Sequence, residues 1–369
     1  MKIKKIPVAN PDITHREVKA VTKTISSGWI TMGKKVIEFE KSVAKFLNVK
    51  HAIAINNGTS ALDVILSALK IKPGDEIIVP TLTYISTANV VLYKNAKLIL
   101  CDSDENTFNA TFDLIKKKIS KNTKLIIVTD MKGMPLNYDE LKNINKLFKI
   151  PIIIDSAESF SAKYKSSPVG KQFLAHTFSF FANKNLTTGE GGMVVTNNDY
   201  LAKKIKILRN QGQISRYKHT MLGNNYRMTD ISATIGIEQL KRIKKNVVKK
   251  NIIAKIYNSS FKNHPFIQSP FVPKYVTQHS WYNYCIKVPA NKRNKLIKYL
   301  QKNHIETRIS FPPVHIQPYY KNKFGYKKNS YPNAYAAYKK MIDIPIWPGL
   351  SKTQARYVSK KILDFFKIY

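Results

Sequence analysis

Between residues 50 and 200, short apolar runs alternate with amphipathic stretches, and no other feature limits so sharply what this chain can fold into. The runs 52–55, 76–79, 97–101, 124–128, 151–154, 177–180 and 192–195 are apolar almost throughout, as strands buried on both faces are. The stretches 60–69, 86–93, 111–119 and 138–148 between them have helical periodicity. Strands and helices in alternation predict an α/β domain with a mostly parallel sheet and crossover helices on its faces. Ligands of such sheets lie beyond the carboxyl ends of the strands. The turn at Asn57–Ser60 and the residue Asp155 both fall at ends of that kind.

An N-terminal arm with a helix at 15–26 precedes the sheet. A second helix at 35–47 places Val36, Phe39, Val43, Phe46 and Leu47 on one face. A long helix is predicted from 230 to 250. Beyond it come a strand at 282–288, a helix at 292–303, a strand at 306–309 and a terminal helix at 352–366, a smaller α+β unit. Residues 1–250 are therefore read as arm plus large domain and 251–369 as a small C-terminal domain, with the proline-rich stretch 265–273 connecting.

The net charge of +39 invites a nucleic-acid reading. Its lysines are dispersed, however, and arginine, the residue of base readers and phosphate forks, is scarce. No specific nucleic-acid partner is expected, although the charge attracts anionic ligands. No apolar run approaches the roughly 20 residues of a membrane span. The basic start Met1–Lys5 has no apolar stretch behind it, so neither a signal peptide nor a membrane span is expected, and the reading is cytoplasmic. Cys101 and Cys285 have no metal-like or redox-like neighbours, and no metal site is expected.

Two segments carry chemistry. In Ser179-Phe180-Phe181-Ala182-Asn183-Lys184-Asn185-Leu186-Thr187-Thr188-Gly189-Glu190-Gly191-Gly192 a lysine occupies a polar turn between two apolar runs. A partly desolvated amine there is nucleophilic enough to form a Schiff base with an aldehyde. Upstream, Pro151-Ile152-Ile153-Ile154-Asp155-Ser156-Ala157-Glu158 is an apolar strand ending in a carboxylate. A buried Asp in the same sheet as such a Lys is the pair that pyridoxal 5′-phosphate (PLP) requires, one for its aldehyde and one for its pyridine nitrogen. Blander roles exist for each: Lys184 as a surface lysine, Asp155 as a helix N-cap, and Gly58, Thr59 and Ser60 as the capping residues of the next helix.

These segments resemble the DegT/DnrJ/EryC1/StrS sugar aminotransferases, PLP enzymes of fold type I. The likeness extends through Ser27–Gly33, Asn56–Leu62, Pro73–Pro80, Gly223–Asp230, Ile305–Arg308 and Pro313–Pro318, in the family's order. It implies that Lys184 is the Schiff-base lysine and the acid/base of a proton shift, and that Asp155 partners the pyridinium. It further implies that Gly58, Thr59, Ser60 and Ser179 hold the cofactor phosphate, and that Tyr84 stacks on the ring. By the same likeness Ala157 would supply a small face beneath the ring and Glu158 would lie near its phenolic oxygen, with a Glu there most resembling the GDP-perosamine synthase branch. Asn225 matches an Asn that reaches the phosphate of a neighbouring subunit, which implies a homodimer with shared active sites.

Trp29, Thr31, Arg227, Arg308 and His315 match positions around the family's substrate cleft, although His315 between prolines also reads as a loop histidine. The implied activity is transfer of an amino group from L-glutamate to a nucleotide-linked keto-sugar, a 4-keto-6-deoxyhexose. Pyridoxamine 5′-phosphate would carry the group between half-reactions. A 3-keto-sugar, a sugar acid or a cyclitol is the alternative acceptor, and a non-catalytic basic binding protein on the same fold is the further one. Thr129-Asp130-Met131-Lys132-Gly133, Lys34 and Thr111 depart from the family's usual residues. His176 receives no role from sequence.

Overall fold

The computed structural model describes residues 5–368; the signal-peptide reading of the first residues falls largely outside them. Seven strands form the main sheet in the order His51–Ile55, Gly192–Thr196, Ala175–Ser179, Ile152–Asp155, Thr123–Thr129, Glu76–Pro80, Lys97–Cys101. All neighbours pair in parallel except at Gly192–Thr196, which is antiparallel to both strands beside it. The strands are apolar because both faces are covered, and their two-residue alternation sorts side chains between two cores. Ile53, Ile77, Leu125 and Ile153 enter one core with the helices Gly58–Ala68, Ile85–Tyr93 and Asp199–Leu208. Ala54, Ile78, Ile126 and Ile154 enter the other, against Lys34–Leu47, Tyr138–Phe148 and the first part of Asp230–Phe261.

The sheet places the chemistry-bearing segments on one edge. Ile152–Asp155 is the central strand, so its carboxyl end lies in the middle of that edge. Ser179 pairs with Gly192 in the antiparallel register, so the loop 180–191 that bears Lys184 emerges at the same edge. The turn after Ile55 joins them, because Gly192 packs against it so closely that a Cβ would lie 2.3 Å from the Asn57 carbonyl oxygen. Only glycine fits there.

A third core joins the end of the long helix (Ile253, Ala254, Tyr257, Phe261) to the antiparallel pair Tyr284–Lys287 and Met341–Ile344, to the helices Ala290–Lys302 and Lys352–Ile368, and to Ile6 of the arm. The helix expected to stop at 250 runs on to Phe261, since residues 251–261 contain no glycine or proline and its apolar spacing continues into this third core. The strand expected at 306–309 is an extended stretch with one bridge, Arg308 to Asp343, and Pro312 and Pro313 remove the donors that would lengthen it. The helix expected at 111–119 spans only Phe112–Lys116. The strand expected at 177–180 lies at Ala175–Ser179. Sequence periodicity did not find the Asp199–Leu208 helix or the strand Met341–Ile344. It also missed Pro318–Phe324 and Pro332–Lys340, two helices that each start on proline. No helix among the described residues is long and apolar enough to cross a membrane.

Candidate active site

A cavity of about 700 Å³ opens at the carboxyl edge of the sheet, and Gly58, Thr59, Ser60, Tyr84, Asp155, Ala157, Glu158, Ser179, Lys184 and Arg308 all line it. One wall is the start of the Gly58–Ala68 helix. Its N-cap is Asn57, whose Oδ1 accepts the Ser60 N–H at 2.8 Å. Capping is thus done by the preceding residue, and among the described residues the Thr59 and Ser60 hydroxyls make no hydrogen bond within the chain. A Cβ on Gly58 would stand 3.0 Å from the Ser179 Cβ and 3.4 Å from its Oγ, so a bare backbone and a serine hydroxyl meet at a helix N-terminus. That combination suits an anion.

The floor is Asp155. Its Oδ2 accepts from the Thr87 hydroxyl at 2.7 Å and its Oδ1 from the Ala157 N–H at 3.2 Å. Burial raises its pKa above the ordinary carboxylate value, while these two donors and the nearby Lys184 charge work against the rise. Glu158 follows on the same turn. Its Oε2 accepts the Lys132 N–H at 2.6 Å, and its Oε1 is buried without a partner among the described residues. A buried, unpaired carboxylate oxygen on a cavity wall is costly unless a bound group supplies a donor.

The Asp130 departure has a structural explanation. Its buried carboxylate collects the Tyr138, Ser156 and Ser159 hydroxyls and the Leu136 N–H, and so fixes the turn that presents Asp155 and Glu158. Burial pushes it up to about 6 in spite of those donors. Because Ser156 gives its single hydrogen to Asp130, it accepts from His176 Nδ1 at 2.9 Å. Burial pushes His176 down to about 3, so its ring stays neutral and serves this turn.

Lys184 sits half-buried in the 180–191 loop, its N–H bonded to the Phe181 carbonyl at 2.9 Å. Its Nζ stands 4.2 Å from the centroid of the Tyr282 ring, whose other neighbour is the Arg308 guanidinium at 5.6 Å. The asparagines on either side of Lys184 anchor the turn. Asn183 Oδ1 accepts from the Tyr282 hydroxyl at 3.3 Å, and Asn185 Nδ2 donates to the Ser280 carbonyl at 2.9 Å. Asn185 Oδ1 in turn accepts from Lys250 Nζ at 2.7 Å.

Arg308 is tied to Asp343 and Asn283 on the far wall. Lys132, the second departure, crosses from the large sheet to the same Asp343, 3.1 Å from Oδ1, with Ser310 as a further partner. Sequence reading missed Tyr282, Asn183, Tyr226 and Phe311 on this cavity. The Asn-Lys-Asn triplet was a usable signal for Asn183; Tyr282 lies too far along the chain for any local pattern to reveal it.

Five sequence candidates are not on this cavity. Trp29 is 59% exposed and lines a separate basic groove of about 1000 Å³ with Arg16, Lys23 and Asp230. That groove is the larger one, but Lys184, Asp155 and the Gly58–Ala68 helix start line the smaller cavity. Thr31 and Asn225 are exposed, and Arg227 bonds to Asn210 Oδ1 at 2.9 Å. His315 is fully buried, with Nδ1 2.7 Å from the Thr81 hydroxyl and Nε2 3.1 Å from the Lys328 carbonyl, so both ring nitrogens are engaged within the chain.

Residues 11–363 match the DegT/DnrJ/EryC1/StrS aminotransferase family. The uncharacterized protein MJ1066 of Methanocaldococcus jannaschii is 38% identical over 363 residues, 94% of each chain. A GDP-perosamine synthase of Escherichia coli O157:H7 is 36% identical over 367 residues, 99% of each chain. Among solved structures, Streptococcus pneumoniae Spr1654 in its PLP form superposes with a TM-score of 0.93 at 30% identity, covering 98% of this chain and 99% of that one.

Proposed function

Because the chain belongs to the DegT/DnrJ/EryC1/StrS aminotransferase family and is a sugar aminotransferase, we propose that it transfers an amino group from L-glutamate to a nucleotide-linked 4-keto-6-deoxyhexose with PLP as cofactor. One observation carries the reading: a lysine amine, a buried carboxylate and a hydroxyl-lined helix N-terminus converge on a single cavity. The unpaired Oε1 of Glu158 and the free hydroxyls of Thr59 and Ser60 are what a phosphorylated pyridine with a ring hydroxyl would satisfy.

Bound PLP supplies an aldehyde carbon and an electron-withdrawing ring. The Gly58–Ala68 N-terminus, Thr59, Ser60 and Ser179 hold the phosphate. The Asp155 carboxylate keeps a proton on the ring nitrogen by a charge-assisted hydrogen bond. Lys184 would bind the aldehyde and move the proton at the donor's α-carbon; its amine lies over the Tyr282 ring, and the flanking asparagines anchor the turn that bears it. Tyr84, 57% exposed on the wall, offers a ring face to stack on. Arg308 presents a cation to a carboxylate or a diphosphate.

The amino acceptor is a 4-keto-6-deoxyhexose nucleotide, the class suggested by the relative whose name is that of a synthase of a GDP-linked amino sugar. The protein works as a homodimer. Asn225, exposed and off its own cavity, reaches the phosphate of the partner's site, and Trp29, Thr31 and Arg227 border the nucleotide. The test is mass spectrometry of products formed from L-glutamate and a panel of 4-keto and 3-keto nucleotide sugars, keto sugar acids and keto cyclitols. A 4-amino sugar nucleotide is expected. Amination of the 3-keto compounds alone, or of sugar acids or cyclitols instead, would overturn the acceptor assignment.

A further inference from the structure

Three threonines, two of them four residues apart around the start of the Ile85–Tyr93 helix and the third at the end of the Thr123–Thr129 strand, form a file of hydroxyls behind Asp155. Thr87, on the Ile85–Tyr93 helix, bonds to Asp155 Oδ2 at 2.7 Å; Thr83 stands 3.0 Å from Thr87, and Thr129 stands 2.8 Å from Thr83. All three are buried, and Thr129 also borders the cavity. Each hydroxyl owns one hydrogen, which fixes the direction of the file when Asp155 is ionised. An ionised carboxylate only accepts, so Thr87 gives its hydrogen to Asp155. Thr87 must then accept from Thr83, and Thr83 from Thr129. Every hydroxyl dipole points toward the carboxylate.

We propose that Thr87, backed by Thr83 and Thr129, is a positioning residue that keeps Asp155 ionised and aimed at the cofactor's ring nitrogen. The inference rests on the proposed assignment of Asp155 to that nitrogen. The need for such a device is physical: Asp155 is buried in the central strand, and burial favours its neutral form. Of the charged groups that act on it, Lys184 favours ionisation and Glu158 opposes it. The flanking strands bring only Thr129 and Thr177 alongside, neither of them charged. A protonated Asp155 would lose the polarity of the whole file, because its hydroxyl could donate to Thr87 and reverse each bond. Ionisation of Asp155 and the order of three hydroxyls are therefore one coupled state.

The experiment measures PLP affinity of the apoprotein by titration between about pH 5 and about pH 9 for wild type, Thr87→Val, Thr87→Ser, Thr83→Val and Thr129→Val. Wild-type binding weakens as pH falls; Asp130, pushed up to about 6, titrates in this range in every variant, so the difference between variants is what reports on Asp155. In Thr87→Val the weakening should begin at higher pH, with affinity at neutral pH reduced roughly tenfold, the scale of one hydrogen bond to a charged group. Thr87→Ser should restore the wild-type profile. Thr83→Val and Thr129→Val should move the profile the same way by less, and they carry the test if Thr87→Val does not fold. A Thr87→Val or Thr83→Val profile that coincides with wild type would overturn the proposal, and so would failure of Thr87→Ser to restore it. If wild type binds no PLP, the cofactor reading fails instead, so the two failures are distinguishable.

Discussion

Replacing Lys250 should reveal a lysine that the fold holds at an energetic cost. Its amine is buried on the long helix and bonds only to neutral oxygens, Asn185 Oδ1 at 2.7 Å and the Trp281 carbonyl at 2.9 Å, among the described residues. The neighbouring His279 is pushed down to about 3 by burial and by the Lys250 charge, so its ring stays neutral and neither adds to nor offsets that charge. Burial alone brings Lys250 from its ordinary 10.5 to about 7. A drop of that size corresponds to about 5 kcal/mol at roughly 1.4 kcal/mol per unit. The sign follows from linkage. Below about pH 7 the amine is charged in folded and unfolded chains alike, and the fold bears the whole cost of burying it. Above its ordinary value it is neutral in both states and the cost vanishes, so stability rises with pH between the two values.

Lys250→Met removes the titration but leaves Asn185 Oδ1 and the Trp281 carbonyl unpaired, which costs about 1–3 kcal/mol apiece. At any single pH the two effects overlap. Their difference across pH does not: from about pH 6 to about pH 9, wild type should gain about 3 kcal/mol relative to the variant. Urea unfolding of both proteins at the two pH values measures it, with midpoints compared at equal slope. Parallel pH dependences would refute the reasoning, because they would mean that an anion or water reaches the amine and keeps its pKa ordinary. The change also matters for the site, since Asn185 is adjacent to Lys184.

In wild type, borohydride reduction and peptide mapping should find a PLP adduct at Lys184; Lys184→Ala should eliminate it and abolish turnover, and an adduct at another lysine would displace Lys184 from its role. Asp155→Asn should retain PLP yet lose roughly a hundredfold or more in kcat, since an amide cannot hold the ring nitrogen protonated by a charge-assisted hydrogen bond; near-wild-type kcat would leave Asp155 as a cap only. Neither Lys184→Ala nor Asn225→Ala should be fully active alone, but if the proposed homodimer shares its sites, refolding an equimolar mixture should restore part of the activity, because a mixed dimer would then carry one intact site. Dimers by sedimentation without recovery would place Asn225 outside the partner's site.

The sequence by itself determined the strands of the main sheet and singled out Lys184 and Asp155, which the fold brings to one cavity. The strands buried on both faces, such as Lys97–Cys101, were legible because burial of an entire segment leaves an apolar run that needs no knowledge of its neighbours. Lys184 and Asp155 were legible because each stands in a local pattern, a glycine-bounded turn and a strand-terminal carboxylate. Periodicity carries no direction, so it could not reveal that Gly192–Thr196 runs antiparallel, and that reversal is what returns the Lys184 loop to the edge where Asp155 lies. Nor could it reveal partners distant along the chain: Tyr282 against Lys184, Lys250 behind Asn185, or Thr83 and Thr129 behind Thr87. His315 and Arg308 looked alike as candidates, yet the fold buries one with both nitrogens engaged and sets the other on the cavity wall. Hydrogen-bond pairing and burial depend on which segments the sheet order brings together, and only the tertiary structure decides that order.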